Sequence, residues 1–264
     1  MDSIARSTYS NNQTIQSLGR PPSSSKPYVV VIFGHTGVGI SSLVNLILGY
    51  HISNDHPNAK PHSQHPRFTL HTPVTLSSNP RSDTPFSLYE VSGFGGQSSD
   101  AAILETIRKI DQREGIDLFV YCLRKQKATV MPGVVRHIRE NIGGRDVPMI
   151  AVVTELERFE AEAGMEDWWN APLGDGSTNG RWIEEMCFGG GDRFDAHACV
   201  TTLPRKEVDL VDKLRKRRDI SEERVRQLIL EQCRGQKRRA SDPTGSHSPC
   251  RCLSTLFTLA SPRF

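Results

Sequence analysis

The stretch VVVIFGHTGVGISSLVNLILG, residues 29–49, limits what this chain can become more than any other part of it. An apolar run from Tyr28 to Phe33 is long enough for one buried strand. A turn opened by Gly34 and closed by Gly37 and Gly39 follows, and Ser41, Ser42, Leu43 and Val44 begin a helix at once. Strand, glycine-rich turn and helix, in that order, are the context in which a GxxxxGK[ST] pattern cradles phosphate. Glycines let the backbone wrap an anion with its amides inward, and the new helix adds the positive end of its dipole at the same place. The lysine of the pattern is Ile40 here. The expected anion site is therefore built from backbone, without the charge-assisted contact to the β and γ phosphates that a lysine supplies.

Strand and helix signals alternate after residue 27, the pattern of a mostly parallel sheet covered on both faces. Strands are expected at 28–33, 73–78, 86–91, 116–123, 147–153 and 197–202, and helices at 41–49, 100–114, 132–141, 179–187 and 221–234. The class is α/β in three layers, with a six-stranded sheet and ligand at the carboxyl ends of its strands. In the second helix Ala102, Ile103, Ile107 and Ile110 recur at helical spacing, and Ser221 is expected to cap the last helix. At 264 residues and 36% hydrophobic, the chain suits one domain of about 200 residues. We expect a polar, disordered segment at 1–26, the domain at 27–235 and a disordered basic tail at 236–264.

No apolar signal sequence and no run of 18 apolar residues is visible, so the expected location is the cytoplasm. The six cysteines form no CxxC pair and read as reduced thiols, with Cys122 and Cys199 inside apolar strands and Cys250 and Cys252 near an apolar chain end. Residues 51–72 carry His51, His56, His62, His65 and His71 at irregular spacings broken by prolines, which favours a mobile loop over a zinc site. From Arg205 to Arg239 there are thirteen Lys or Arg against seven Asp or Glu. Without aromatic interleaving this reads as a solvated helix with a basic tail, not a nucleic-acid surface; contact with an acidic membrane is a minor alternative.

Two further motifs follow the phosphate loop. In a nucleotide switch an acid at a strand end holds magnesium through water and a glycine three residues on reaches the γ phosphate; Glu90 and Gly93 occupy those positions in FSLYEVSGFGG. Glutamate is one methylene longer than the usual aspartate, which matters to an ion that demands near-ideal octahedral distances. The strand at 147–153 ends in Thr154, Glu155, Leu156 and Glu157. A carboxylate there, Glu157, can accept from both N1 and the exocyclic amine of guanine, a bidentate match that adenine does not offer. An ATP-binding alternative has no such pocket in its favour.

With these three motifs the chain resembles the P-loop GTPases, and within them the septin-like and immune-associated branch, nearest to fungal G-domain-containing proteins. The likeness runs over about residues 27–234 and includes the TELE, MEDWW and AHACVTT blocks, Thr154–Glu157, Met165–Trp169 and Ala196–Thr202. It implies that Gly34, His35, Thr36, Gly37, Val38, Gly39, Ile40, Ser41 and Ser42 hold phosphates, with Thr154, Glu155, Glu157 and Thr202 around the base. It further implies metal ligation by Ser41, Thr69 and Glu90, and catalytic roles for Thr69, as switch threonine, and Gly93; Thr72 and Thr75 are alternates to Thr69. The implied cofactor is GTP or GDP with Mg2+, and the implied partners are other proteins, including a second G domain. The chain departs from the pattern at Ile40, Glu90, Glu155 and the LPRK that follows Thr202. Two readings therefore stand: a guanine-nucleotide switch with at most slow hydrolysis, or a nucleotide-free scaffold of the same fold. Lys60 and Arg67, in the long loop, are candidates to replace the missing charge.

Overall fold

The computed structural model describes residues 26–49, 63–65, 67–76, 85–96, 98–126, 129–142, 146–160 and 164–240. In chain order the elements are β1 (Tyr28–Gly34), α1 (Ile40–Leu48), β2 (Ser63–His65), β3 (Phe68–Val74), β4 (Phe86–Val91), α2 (Asp100–Glu114), β5 (Leu118–Arg124), α3 (Pro132–Asn141), β6 (Met149–Thr154), α4 (Asp167–Asn170), α5 (Asn179–Phe188), β7 (Ala196–Cys199), α6 (Arg205–Val208) and α7 (Asp212–Ala240). The seven strands form one sheet in the order β2-β3-β4-β1-β5-β6-β7. All neighbours are parallel except β3, which runs antiparallel to β2 and β4. This is the expected α/β architecture, with the short β2 added at the edge.

β1 shows why the sheet lies in the middle of the molecule. All seven of its residues are buried, and successive side chains feed opposite cores. Val29, Val31 and Phe33 join α2, α3 and α5 on one face, whereas Tyr28, Val30 and Ile32 join α1 and α7 on the other. A strand covered on both faces reads as a continuous apolar run, as this one does.

Two expectations need correction. The strand expected at 73–78 is instead Phe68–Val74, inside what the sequence suggested was a mobile loop; residues 50–62, 66 and 77–84 of that region lie outside the described residues. Its face is mixed: Phe68 and Leu70 pack on the core, with Phe68 tilted on Tyr89 at 5.4 Å, while polar Thr69 and His71 break the apolar pattern. The last helix starts at Asp212 rather than 221 and continues to Ala240. Ser221 is no cap: it lies buried within the helix, donating to the Arg217 carbonyl at 2.7 Å and accepting from the Thr201 amide at 3.1 Å. The charged residues 212–219 favour helix by propensity although they have no apolar period.

Candidate functional site

The phosphate-type loop leaves β1 between the strands that diverge from it, β4 on one side and β5 on the other. In an open α/β sheet that divergence leaves a crevice at the carboxyl ends. Gly37 and Gly39 hold φ of 85° and 91°, the left-handed region that glycine enters without a Cβ penalty. Gly39 ends the loop as the residue before α1, and the first intrahelical bond is Leu43 N–H to its carbonyl at 2.8 Å. The amides of Ile40, Ser41 and Ser42 precede that bond, so they are the orphan donors of a helix start.

A cavity of about 630 Å³ opens on this loop, bounded by Thr36, Gly37, Gly39, Ser41 and Ser42, by Thr69 of β3, and by Glu90 and Gly93. Another hollow, about 540 Å³, lies along α7, but Arg205, Asp219, Glu222 and Arg226 on its wall are paired with one another. Of these two, the first brings the glycine-rich loop and the Glu90–Gly93 turn together, whereas Thr154, Glu155, Glu157 and Thr202 are not among its lining residues. Ser41 donates to Glu90, whose other carboxylate oxygen lies 3.2 Å from His71 Nε2. Burial pushes the Glu90 carboxyl up, yet the hydrogen bonds of His71 and Ser41 and the charge on His71 outweigh it and hold the group below the usual range. Thr69 pairs in register with Glu90, which places it beside the carboxylate. His71 is a site residue that sequence reasoning set aside among loop histidines; its alternation with Thr69 along a strand was the available signal.

The turn after β4 is fastened to the loop. Thr36 donates its amide to the Phe94 carbonyl at 2.8 Å and its hydroxyl to the Gly93 carbonyl at 2.9 Å, and Phe94 returns a bond to the Gly34 carbonyl at 2.9 Å. A Cβ on Gly93 would lie 2.5 Å from Thr36 Cα, so the glycine is needed for this approach.

Several expected site side chains have other work. Ile40 is 8% exposed and belongs to the core with Leu43 and Val44, and Val38 is buried too, so both offer backbone alone to a ligand. Thr154 is fully buried and donates to the Val38 carbonyl at 2.8 Å, shaping the loop from behind. Glu155, at φ 64°, pairs with Arg124 at 3.0 Å. Thr72 meets Ser87 at 2.9 Å, away from the loop, and Thr75 is exposed. Thr202 does approach: its hydroxyl lies 3.8 Å from where a Cβ on Gly39 would be. The backbone that carries Glu157 is braced by Arg217, which donates to its carbonyl at 2.7 Å. Of the two candidates for a replacement cation, Arg67 precedes β3 and does not line the cavity, and Lys60 lies outside the described residues.

The MEDWW and AHACVTT blocks meet at the far edge of the sheet. Trp169 stacks on His197 at 4.3 Å and 9°, and Glu166 accepts from the Cys199 amide at 3.3 Å. Glu166 also lies 3.6 Å from His197, but burial, with the nearby Arg224 charge, holds that imidazole below its usual range, so the approach is not a strong ion pair. Apart from Thr202 at the end of the second block, which lies beside Gly39, these residues are packing and do not line the cavity. Among the described residues no three histidine, cysteine, aspartate or glutamate side chains cluster as metal ligands, and no helix is long and apolar enough to cross a membrane. Cys122, Cys187, Cys199 and Cys233 are buried free thiols.

No family model matches this chain, and no curated protein does. Among solved structures, a dimerization-deficient mutant of Toc33 from Arabidopsis thaliana is similar with TM-score 0.52 and 16% identity over 80% of this chain and 86% of that one. A variant of SsGBP matches with TM-score 0.46 and 12% identity, over 80% of this chain and 57% of the other. A complex of SsGBP and GDP matches with TM-score 0.40 and 14% identity, over 79% and 54%. The chain thus spans little more than half the length of the SsGBP structures. The likeness to Toc33 shows the fold alone, a three-layer α/β domain.

Proposed function

We propose that this domain binds a guanine nucleotide, GTP or GDP, at the glycine-rich loop and hydrolyses it slowly at most. The observation that carries the reading is the convergence, on one cavity of about 630 Å³, of the loop amides, Ser41, Glu90, Thr69 and the Gly93 turn. Backbone donors at a helix start attract a phosphate whatever residue stands at position 40. Ser41, Glu90 and Thr69 are oxygen donors side by side, and Glu90 is favoured as an anion, so they suit a hard divalent cation such as Mg2+. Bound there, the ion would neutralise charge on the phosphates. Thr202 lies beside the loop, and Glu157 is the carboxylate proposed to read guanine. Without a loop lysine, charge that develops on the γ phosphate is less stabilised, which lowers hydrolysis more than binding. Partners and dimerisation through the domain, like the septin-like and fungal affinity, rest on the sequence resemblance; the dimerization named for the Toc33 structure is in keeping with such an assembly.

A specific observation favours the second reading, a nucleotide-free scaffold. Ile40 is in the core, Ser41 is bonded to Glu90, and Glu155 is paired with Arg124, so each of these side chains already has a partner within the protein. Displacement by GTP and GDP of a fluorescent guanine nucleotide, with Mg2+ present, separates the two. Saturable displacement supports the first; none at millimolar nucleotide supports the second.

A further inference from the structure

We propose that Arg124 supplies the phosphate-facing charge that Ile40 does not, with Glu155 as the counter-ion that holds the guanidinium in place until a phosphate arrives; this rests on the nucleotide reading above. Three observations converge on Arg124. It is the last residue of β5, the parallel neighbour of β1, and Cys122 two residues earlier is in register with Gly34 at the start of the loop. The chain therefore delivers it to the carboxyl edge of the sheet beside the loop, where its side chain lines the same cavity as Thr36, Gly37 and Ser41. Among the described residues that line this cavity, it alone carries positive charge.

The second observation is the guanidinium's incomplete set of partners. Arg124 reaches Glu155 at 3.0 Å through Nη2, while its Nε is buried and has no hydrogen-bond partner. A buried N–H without an acceptor is unusual in a folded chain and calls for one. The third is that the backbone is fixed independently of the charge: the Thr129 hydroxyl accepts from the Arg124 amide at 3.1 Å. The side chain can turn from carboxylate to phosphate while the strand end stays where it is.

An arginine suits this duty. Its planar fork meets two oxygens of one phosphate at once, and it stays charged whatever its surroundings. A carboxylate neighbour with one oxygen on Nη2 is a weaker match than a phosphate carrying more negative charge. Glu155, held at φ 64° just after β6, is placed for that temporary pairing and is not among the residues that line the cavity.

The test is GTP, GDP and guanosine binding to the full chain with Mg2+, for the native protein, Arg124→Gln and Arg124→Lys. We expect Arg124→Gln to weaken GTP and GDP about tenfold or more and guanosine by less than about twofold, and Arg124→Lys to lie between. Only a contact to phosphate produces that dependence on phosphate; a purely structural role weakens all three ligands together. Should Arg124→Gln not fold, Glu155→Gln reads the same contact from the other side. Freeing the guanidinium should then raise GTP affinity a few-fold and leave guanosine unchanged, and no rise would overturn the proposal. Unchanged GTP and GDP affinity in Arg124→Gln overturns the role of Arg124 alone. Failure of the native chain to bind GTP or GDP at millimolar concentration overturns the nucleotide reading and this inference with it.

Discussion

Ile40 stands in the first turn of α1 with its side chain against Leu43, Val44 and the neighbouring core, so it contributes packing where the motif asks for charge. Replacing it by lysine removes about 1.5–3 kcal/mol of apolar burial, since the ammonium must leave the core for the cavity. We expect Ile40→Lys to melt below the native protein without nucleotide and to gain more in melting temperature on adding GTP. A differential scanning measurement with and without GTP reads both effects, and equal gains would contradict a loop poised to use the charge. His197 gives a second expectation. Burial and the Arg224 charge hold its imidazole below the ordinary value, so below a pH of about 6.5 the unfolded chain takes up a proton that the folded chain refuses. Stability should fall as pH drops from that value toward the lower folded one. His197→Gln should flatten the slope in that window, as urea midpoints measured at several pH values will show.

Elements carry the same logic at larger spacing. α7 is fixed to the sheet by Val225, Leu228 and Ile229, and to the loops by Arg218, which is 4% exposed and reaches the Leu203 carbonyl at 3.0 Å and Glu222 at 2.8 Å. Removing one member of a buried pair leaves a charge without its partner, but Glu222 keeps Arg226 at 3.0 Å and Arg205 at 3.4 Å. We therefore expect Arg218→Met to cost about 3 kcal/mol, the low end for a broken buried pair, by chemical denaturation. α5 depends on Gly180, where a Cβ would lie 2.1 Å from Trp169 Nε1. Gly180→Ala gains about 1 kcal/mol of helix propensity and loses about 1–3 kcal/mol to overpacking, so net destabilisation is expected, reduced when Trp169 is also made Phe. The boundaries of α2, α3 and β4 were legible to the residue because apolar period and turn residues agreed there. β3 and the first half of α7 were not. In β3 the side chains that face the site are polar, and in α7 the first two turns are charged and largely exposed, with surface pairs such as Arg215–Asp212 at 2.5 Å and no apolar stripe.

At the scale of the molecule, the layer order followed from alternation, and two of the three motifs, the glycine-rich loop and the Glu90–Gly93 turn, line one cavity at the strand ends of a parallel sheet. What could not be read was which polar groups satisfy one another across strands distant in sequence: His71 on Glu90, Arg124 on Glu155, Thr154 behind the loop. Those pairings depend on register, which no local pattern reports. They also decide between a working site and a self-satisfied one. A ligand must outbid Glu90 for Ser41 and Glu155 for Arg124, so we expect dissociation constants in the micromolar range, weaker than a loop with its lysine would give. The most direct test is titration calorimetry of the native chain with GTP, GDP and ATP in the presence of Mg2+. We expect saturable micromolar binding of GTP and GDP and none of ATP at the same concentrations. Absence of heat and of thermal stabilisation with millimolar GTP and GDP, or equal binding of ATP, would contradict it.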